Sequence, residues 1–177
     1  MNNFICKIAS IEEMNEKWDY EIASKPNDEK WPIWKQDSIN DVKDGTKICY
    51  YGILDGTIIT EASAVISDQD KTIQNKEGLV GKKTAYLTAF RTIEAYQGKG
   101  YFSKLYKFLE NDLINRGFKT LTLGVEPSEV KNMKIYFNWG YENYIKTAYE
   151  IYPPKDSTSK QEKVMVNYYS KEISPNN

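Results

Sequence analysis

Tyr96-Gln97-Gly98-Lys99-Gly100-Tyr101-Phe102-Ser103 is the stretch on which the reading of this chain turns. It joins two segments of different period. Before it, Thr84 to Ile93 has strand character. After it, Phe102, Leu105, Leu109 and Leu113 recur on one helical stripe, with Tyr106 and Phe108 beside them. Arg116-Gly117 closes that helix as a cationic last turn and a C-terminal glycine. Two glycines between a strand and a helix let the backbone curl tightly. The first N–H groups of the helix have no partner within it, and the positive end of its dipole stands behind them. That geometry suits a pyrophosphate, and Lys99 and Lys104 add positive charge. Gly-Lys-Gly also occurs in ordinary turns; the strand before it and the periodic helix after it give it weight. Gly81-Lys82 is a decoy, because a Walker A loop needs glycine where Lys76 stands and Ser or Thr where Lys83 stands.

Working outward, Phe4 to Ala9 reads as a short strand. Ser10 and Glu13 form a capping box ahead of Met14, Trp18 and Ile22 at helical spacing. Pro26-Asn27-Asp28 ends that helix. A second helical stretch, broken by Pro32, runs near Trp31 to Val42. Lys47 to Leu54 and Thr57 to Ile66 are β-rich about the hairpin signal Asp55-Gly56. Ser67 to Lys83 is a polar hairpin loop or arm, and a candidate lid. Beyond the central helix come a strand at Phe118 to Val125, a short helix from Pro127-Ser128 to about Trp139, and strands at Tyr144 to Tyr152 and Val164 to Tyr169. Ser170 onward reads as a frayed tail. The order βααβββαβαββ implies one mixed sheet with helices on both faces. The expected organisation is a single domain over residues 1–172, with a tail over 173–177.

The chain has 177 residues and no histidine. Ser-His-Asp and Cys-His catalysis are excluded, and so is a His-ligated metal site. No metal is expected. A net charge of −1 gives no bulk attraction to nucleic acid or membrane. The expectation is a cytoplasmic protein, with Cys6 and Cys49 as reduced core thiols; a bridge stays open as an alternative if their strands are neighbours. The 14 tyrosines are given little weight as a count.

At the residues quoted first, the chain resembles the GNAT superfamily of N-acetyltransferases. The family's signature, Gln/Arg-x-x-Gly-x-Gly/Ala between a central strand and a long helix, reads here Gln97-Gly98-Lys99-Gly100-Tyr101-Phe102, with Phe102 in place of the last small residue. The second hallmark, Tyr-x-x-x-Gly-Phe/Tyr, reads Tyr136-Phe137-Asn138-Trp139-Gly140-Tyr141. The resemblance implies an α/β (α+β) fold: a mixed, mostly antiparallel sheet of about seven strands with helices on both faces. It implies a transferase, an acetyl-CoA-dependent N-acetyltransferase acting by direct attack of a primary amine of a small molecule, peptide or protein. The alternative is a non-catalytic acetyl-CoA-binding module that senses or recruits. A homodimer is compatible with the family.

Residue by residue, the resemblance implies that the backbone of Phe90, Arg91 and Thr92 pairs with pantetheine. Gln97, Gly98, Lys99, Gly100, Tyr101, Phe102 and Ser103 hold the pyrophosphate. The family's pantetheine-binding asparagine falls at Glu129, with Asn132 one turn along as a substitute. Tyr136 matches the general acid; its alternative is a plain core aromatic. The base is less defined. Gly124 stands where some members carry a glutamate, and Glu126 shares its strand face if the strand continues. Tyr86 matches another such position, but a tyrosine is a poor base at a pKa of ~10. A water chain ending at Glu61 or Glu126 is the working assignment. Trp31 and Trp34, flanking Pro32 on an irregular stretch, are expected to line the acceptor pocket with Tyr86, while Trp18 reads as core.

Overall fold

A computed structural model describes residues 3–70, 77–152 and 160–175. The elements, in chain order, are β1 Phe4–Ile8, α1 Ile11–Ser24, α2 Lys30–Lys43, β2 Lys47–Leu54, β3 Thr57–Val65, β4 Thr84–Thr92, α3 Tyr101–Asn115, β5 Thr120–Val125, α4 Val130–Asn138, β6 Asn143–Tyr152 and β7 Glu162–Glu172. They form one sheet in the order β1-β2-β3-β4-β5-β7-β6. Only β4 and β5 run parallel; every other pair is antiparallel. This is the expected α+β, mostly antiparallel architecture.

Local chemistry sets the boundaries. Ser10 Oγ accepts from the Glu13 N–H at 3.2 Å, and the Ser10 N–H donates to Glu13 at 2.9 Å, so both halves of the capping box are made. Asp55 and Gly56, at φ 48° and 86°, make the two-residue turn between β2 and β3. α3 buries Leu105, Tyr106, Leu109 and Leu113 against one face of the sheet, with Ile48, Tyr50, Ala62, Ala85 and Leu121 opposite. α1 and α2 cover part of the other face, burying Met14, Trp18, Trp31 and Ile39 with Cys49 and Tyr51.

Three elements depart from expectation. Pro32 does not break α2; it lies in the first turn, where its missing N–H costs nothing. Trp31 and Trp34 therefore stand on a regular helix. α4 starts at Val130, because Glu126 to Glu129 closes a turn first, with the Glu129 N–H on Glu126 O at 3.0 Å. β7 continues through Ser170, which pairs with Thr122, and Ile173 is buried with its N–H on Lys119 O at 2.8 Å. The chain is thus held against β5 well past the expected fraying point. Cys6 and Cys49 are free thiols. Their strands are neighbours, yet Cys6 packs on the α3 face and Cys49 on the α1–α2 face, so no bridge spans them.

Residues 71–76 of the expected lid lie outside the described residues. The C-terminal part of that stretch is anchored. Leu79 is fully buried with Val65, Tyr86, Val166 and Tyr168, and its carbonyl accepts from Thr122 Oγ1 at 2.6 Å.

Candidate active site

The sheet opens where β4 and β5 part. The two pair only from Thr84↔Thr120 to Leu87↔Leu123. Beyond that point β4 stays with β3 as far as Thr92↔Thr60, and β5 stays with β7 as far as Val125↔Asn167. The cause lies in β4. Between Thr88↔Ser63 and Arg91↔Glu61 it carries one residue more than β3, and Ala89 sits at φ 55°. A bulge bends its strand, and positive φ at a non-glycine residue is strain of the kind kept at functional sites. Phe90, Arg91 and Thr92 follow the bulge and have no β5 partner.

α3 begins beside this opening. Gly98 and Gly100 take φ 71° and 79°, and Gly100 is the N-cap with no side-chain cap bond. A Cβ at either glycine would meet open space, so backbone angle and not crowding demands glycine there. Gln97 Nε2 donates to Thr92 O at 3.0 Å and ties the turn to the end of β4. The uncapped N–H groups from Tyr101 onward are left for an anion. Phe102 turns its ring onto Phe90 (5.0 Å between centroids) and Trp139 (5.8 Å, stacked), so the large residue is absorbed by an aromatic layer between α3 and α4.

An open cavity of about 1040 Å³ runs along the sheet face from this opening to α1 and α2. Small-molecule pockets are typically ~300–1,000 Å³, so there is room for two reactants. Phe90, Tyr136 and Glu126 line one end; Trp18, Trp31, Trp34, Tyr51 and Glu61 line the other. Tyr136 is half-buried, with its ring edge-on to Phe90 at 5.9 Å. Burial, and then the Glu129 charge, push its hydroxyl up to about 12. No hydrogen bond to that hydroxyl is found among the described residues. Asn132 also lines the cavity, with its amide donating to Glu129 Oε2 at 2.9 Å.

The end toward α1 and α2 is aromatic and ionic. Trp31 packs edge-on between Trp18 and Trp34, at 5.8 and 5.6 Å. The Arg91 guanidinium lies 5.0 Å from the Trp31 ring and ion-pairs with Glu61. Glu61 also pairs with Lys17 at 2.6 Å. It is therefore committed to two cations, which argues against the water chain assigned to it. Tyr86 is 5% exposed, and burial, then Glu150, push its hydroxyl well above the ordinary value. It lines the cavity as a neutral group.

Packing at Gly124 leaves no room for a side chain where the resemblance puts a glutamate in some members. A Cβ there would come within 2.7 Å of Val166 and 2.8 Å of Tyr168. The Tyr168 ring from β7 fills that space, and its hydroxyl donates to Glu150 Oε1 at 2.6 Å. Overpacking of this kind costs about 1–3 kcal/mol, so Gly124→Ala is expected to lower the stability measured by urea unfolding by that amount. An unchanged midpoint would refute the close packing. Glu150, Tyr152 and Tyr168 were not among the sequence candidates. The signal available was the alternation of β6, which puts Ala148, Glu150 and Tyr152 on one face.

A splayed sheet, an uncapped glycine-turned helix and a long cavity between them meet at one place in the fold. The family model for the acetyltransferase (GNAT) family matches residues 9–141, and the chain belongs to that family, whose chemistry is acetyl-CoA-dependent acetyl transfer. No curated protein matches the chain at a significant level. Solved structures share the fold. The ribosomal-protein-S18-alanine N-acetyltransferase of Escherichia coli superposes with TM-score 0.65 at 16% identity, covering 100% of this chain and 97% of that one. An N-acetyltransferase of Staphylococcus aureus Mu50 gives 0.64 at 14%, covering 96% and 98%. The yncA structure of Salmonella typhimurium, which holds its cofactor acetyl-CoA, gives 0.65 at 12%, covering 99% and 96%. Among the described residues, no cluster of three or more His, Cys, Asp or Glu is arranged to hold a metal, and no helix is long and apolar enough to cross a membrane.

Proposed function

We propose that this chain moves the acetyl group of acetyl-CoA onto a primary amine of a small molecule or peptide by direct attack. The observation that carries the reading is the parting of β4 and β5 beside the uncapped start of α3, with Tyr136 on the same cavity. Bound acetyl-CoA supplies a thioester already activated toward amines. The backbone of Phe90, Arg91 and Thr92 would hold its pantetheine arm, with Asn132 beside it. The N–H groups from Gly98 to Ser103, braced by Gln97 and aided by Lys99, would hold its pyrophosphate. Tyr136 stands as the general acid to the departing sulfur. Trp31, Trp34 and Tyr86 line the acceptor's side of the cavity. The free thiols of Cys6 and Cys49 accord with a reducing cytoplasm.

Ligand linkage tests the cofactor. At a hundredfold excess over Kd, acetyl-CoA should stabilise the fold by about 2.7 kcal/mol. At roughly 2–4 °C per kcal/mol for a chain of this size, the Tm should rise by several degrees. No shift at millimolar acetyl-CoA would remove both the enzyme and the sensing module. A shift without thiol release across a panel of amines would leave the sensing module standing.

A further inference from the structure

The reaction needs a group to take the acceptor's proton, and the acids expected from sequence are Glu61 and Glu126. Glu61 is held by Lys17 and Arg91. Glu126 lines the cavity but lies past the end of β5, in the turn that leads to α4, and so off the strand face on which its role depended. We infer that Glu150 is the general base: the residue lines the same cavity as Tyr136, and its carboxylate is held by two tyrosine hydroxyls, Tyr168 at 2.6 Å on Oε1 and Tyr152 at 2.9 Å on Oε2. The inference rests on the amine-transfer reading above.

Three features support it. Both bonds have the carboxylate as acceptor, so they fix its orientation. Tyr168 reaches Glu150 from the space that Gly124 leaves empty. The same sheet position that lacks a carboxylate therefore supplies the group that orients one from β6. The site is also shared with the reaction's other end. Glu150, Tyr136 and the buried Tyr86 all line the same cavity. Among the described residues, the titratable groups that Glu150 acts on are Tyr152 on β6, Tyr168 on β7 and Tyr86 on β4, and Tyr152 in turn feels Glu126 beyond β5 and Glu162 on β7.

The protons balance. The acceptor ammonium gives one proton to the Glu150 carboxylate, directly or through a water, and Glu150 passes it to solvent. The freed nitrogen lone pair forms the C–N bond, and the C–S bond breaks with its electron pair on sulfur. Sulfur takes the Tyr136 proton, and the second N–H proton of the attacking nitrogen restores Tyr136. One proton is released per acetyl group moved. Tyr152 and Tyr168 are positioning residues, since they touch only Glu150 in this scheme.

Glu150→Gln tests the assignment, with steady-state rates measured on the best amine of the panel. A lost general base costs ~10²–10⁴-fold, so kcat/KM should fall by at least about 100-fold at neutral pH. The deficit should narrow as pH rises toward the amine's own pKa, where the acceptor arrives already neutral. The acetyl-CoA thermal shift should stay as in the wild type. A deficit that is constant with pH, a wild-type rate, or a larger loss in Glu126→Gln would each overturn the assignment. Tyr152→Phe is the second variant. Removing a hydrogen bond to the charged form raises a carboxyl's pKa, so the acidic limb of the kcat/KM profile should move to higher pH, and an unmoved limb overturns the assignment. A wild-type protein that binds acetyl-CoA but acetylates no amine would fail the function itself, and the base with it.

Discussion

Tyr136→Phe is expected to lower kcat by roughly 10²–10⁴-fold, the usual worth of a positioned acid, while the acetyl-CoA thermal shift stays as in the wild type. The substitution removes a single oxygen. The ring contacts with Phe90 at 5.9 Å, Trp139 at 6.0 Å and Tyr141 at 6.4 Å are all kept, so the fold should be indifferent. The cofactor contacts proposed are backbone groups of Phe90 to Thr92 and of Gly98 to Ser103 with the side chains of Lys99 and Asn132, and none passes through the Tyr136 hydroxyl. Loss should therefore fall on kcat and leave cofactor binding alone, the pattern of an interaction made in the transition state. The raised pKa matters for the same reason. A phenol at about 12 stays protonated through the working range, so its hydroxyl is ready to donate at any physiological pH. Tyr136 should then contribute no alkaline limb to the kcat profile below about pH 12. Unchanged turnover in the variant would remove Tyr136 from the chemistry and return it to the aromatic layer.

The glycine turn, the helix after it and the Tyr136–Tyr141 motif were legible because each is local. Positive φ at Gly98, Gly100 and Gly140 needs glycine, and the apolar stripe of α3 is periodic, so residues a few positions apart declare the geometry. Part of the second motif is structural: Tyr141 is fully buried, with its hydroxyl 3.0 Å from that of Tyr106. The bulge was not legible, because Ala89 adopts a left-handed conformation for which alanine gives no signal. The base was hidden for a different reason. Glu150 gains meaning only when β7 lies between β5 and β6, which brings Tyr168 under Gly124 and onto the carboxylate. Trp31 and Trp34 line the cavity, but the backbone expected for them was wrong, because a proline in the first turn looks the same in sequence as one that breaks a helix.

The largest effect on stability is expected from Lys47→Met. Lys47 opens β2 and meets Asp41 of α2 at 2.7 Å and Asp70, after β3, at 3.4 Å. All three residues are buried, Asp70 completely. Removing the cation leaves two buried carboxylates facing each other without it, and breaking such a pair from one side costs about 3–5 kcal/mol. At roughly 2–4 °C per kcal/mol, the Tm should fall by about 6–20 °C. The pH dependence identifies the cause. Burial, with Asp70 and Asp37 adding to it, holds the Asp41 carboxyl above its ordinary value, and Lys47 opposes that rise. A carboxyl raised in the folded state favours folding where it is protonated, and that contribution is lost as pH climbs through the folded value. Without Lys47 the rise is larger, so the deficit should be small near pH 4 and full at pH 7 when urea midpoints are compared. A second substitution, Asp41→Asn in the Lys47→Met background, should recover part of the loss at pH 7 by removing one of the two charges. An equal deficit at both pH values would mean that the lysine acts through its aliphatic stem and not through its charge.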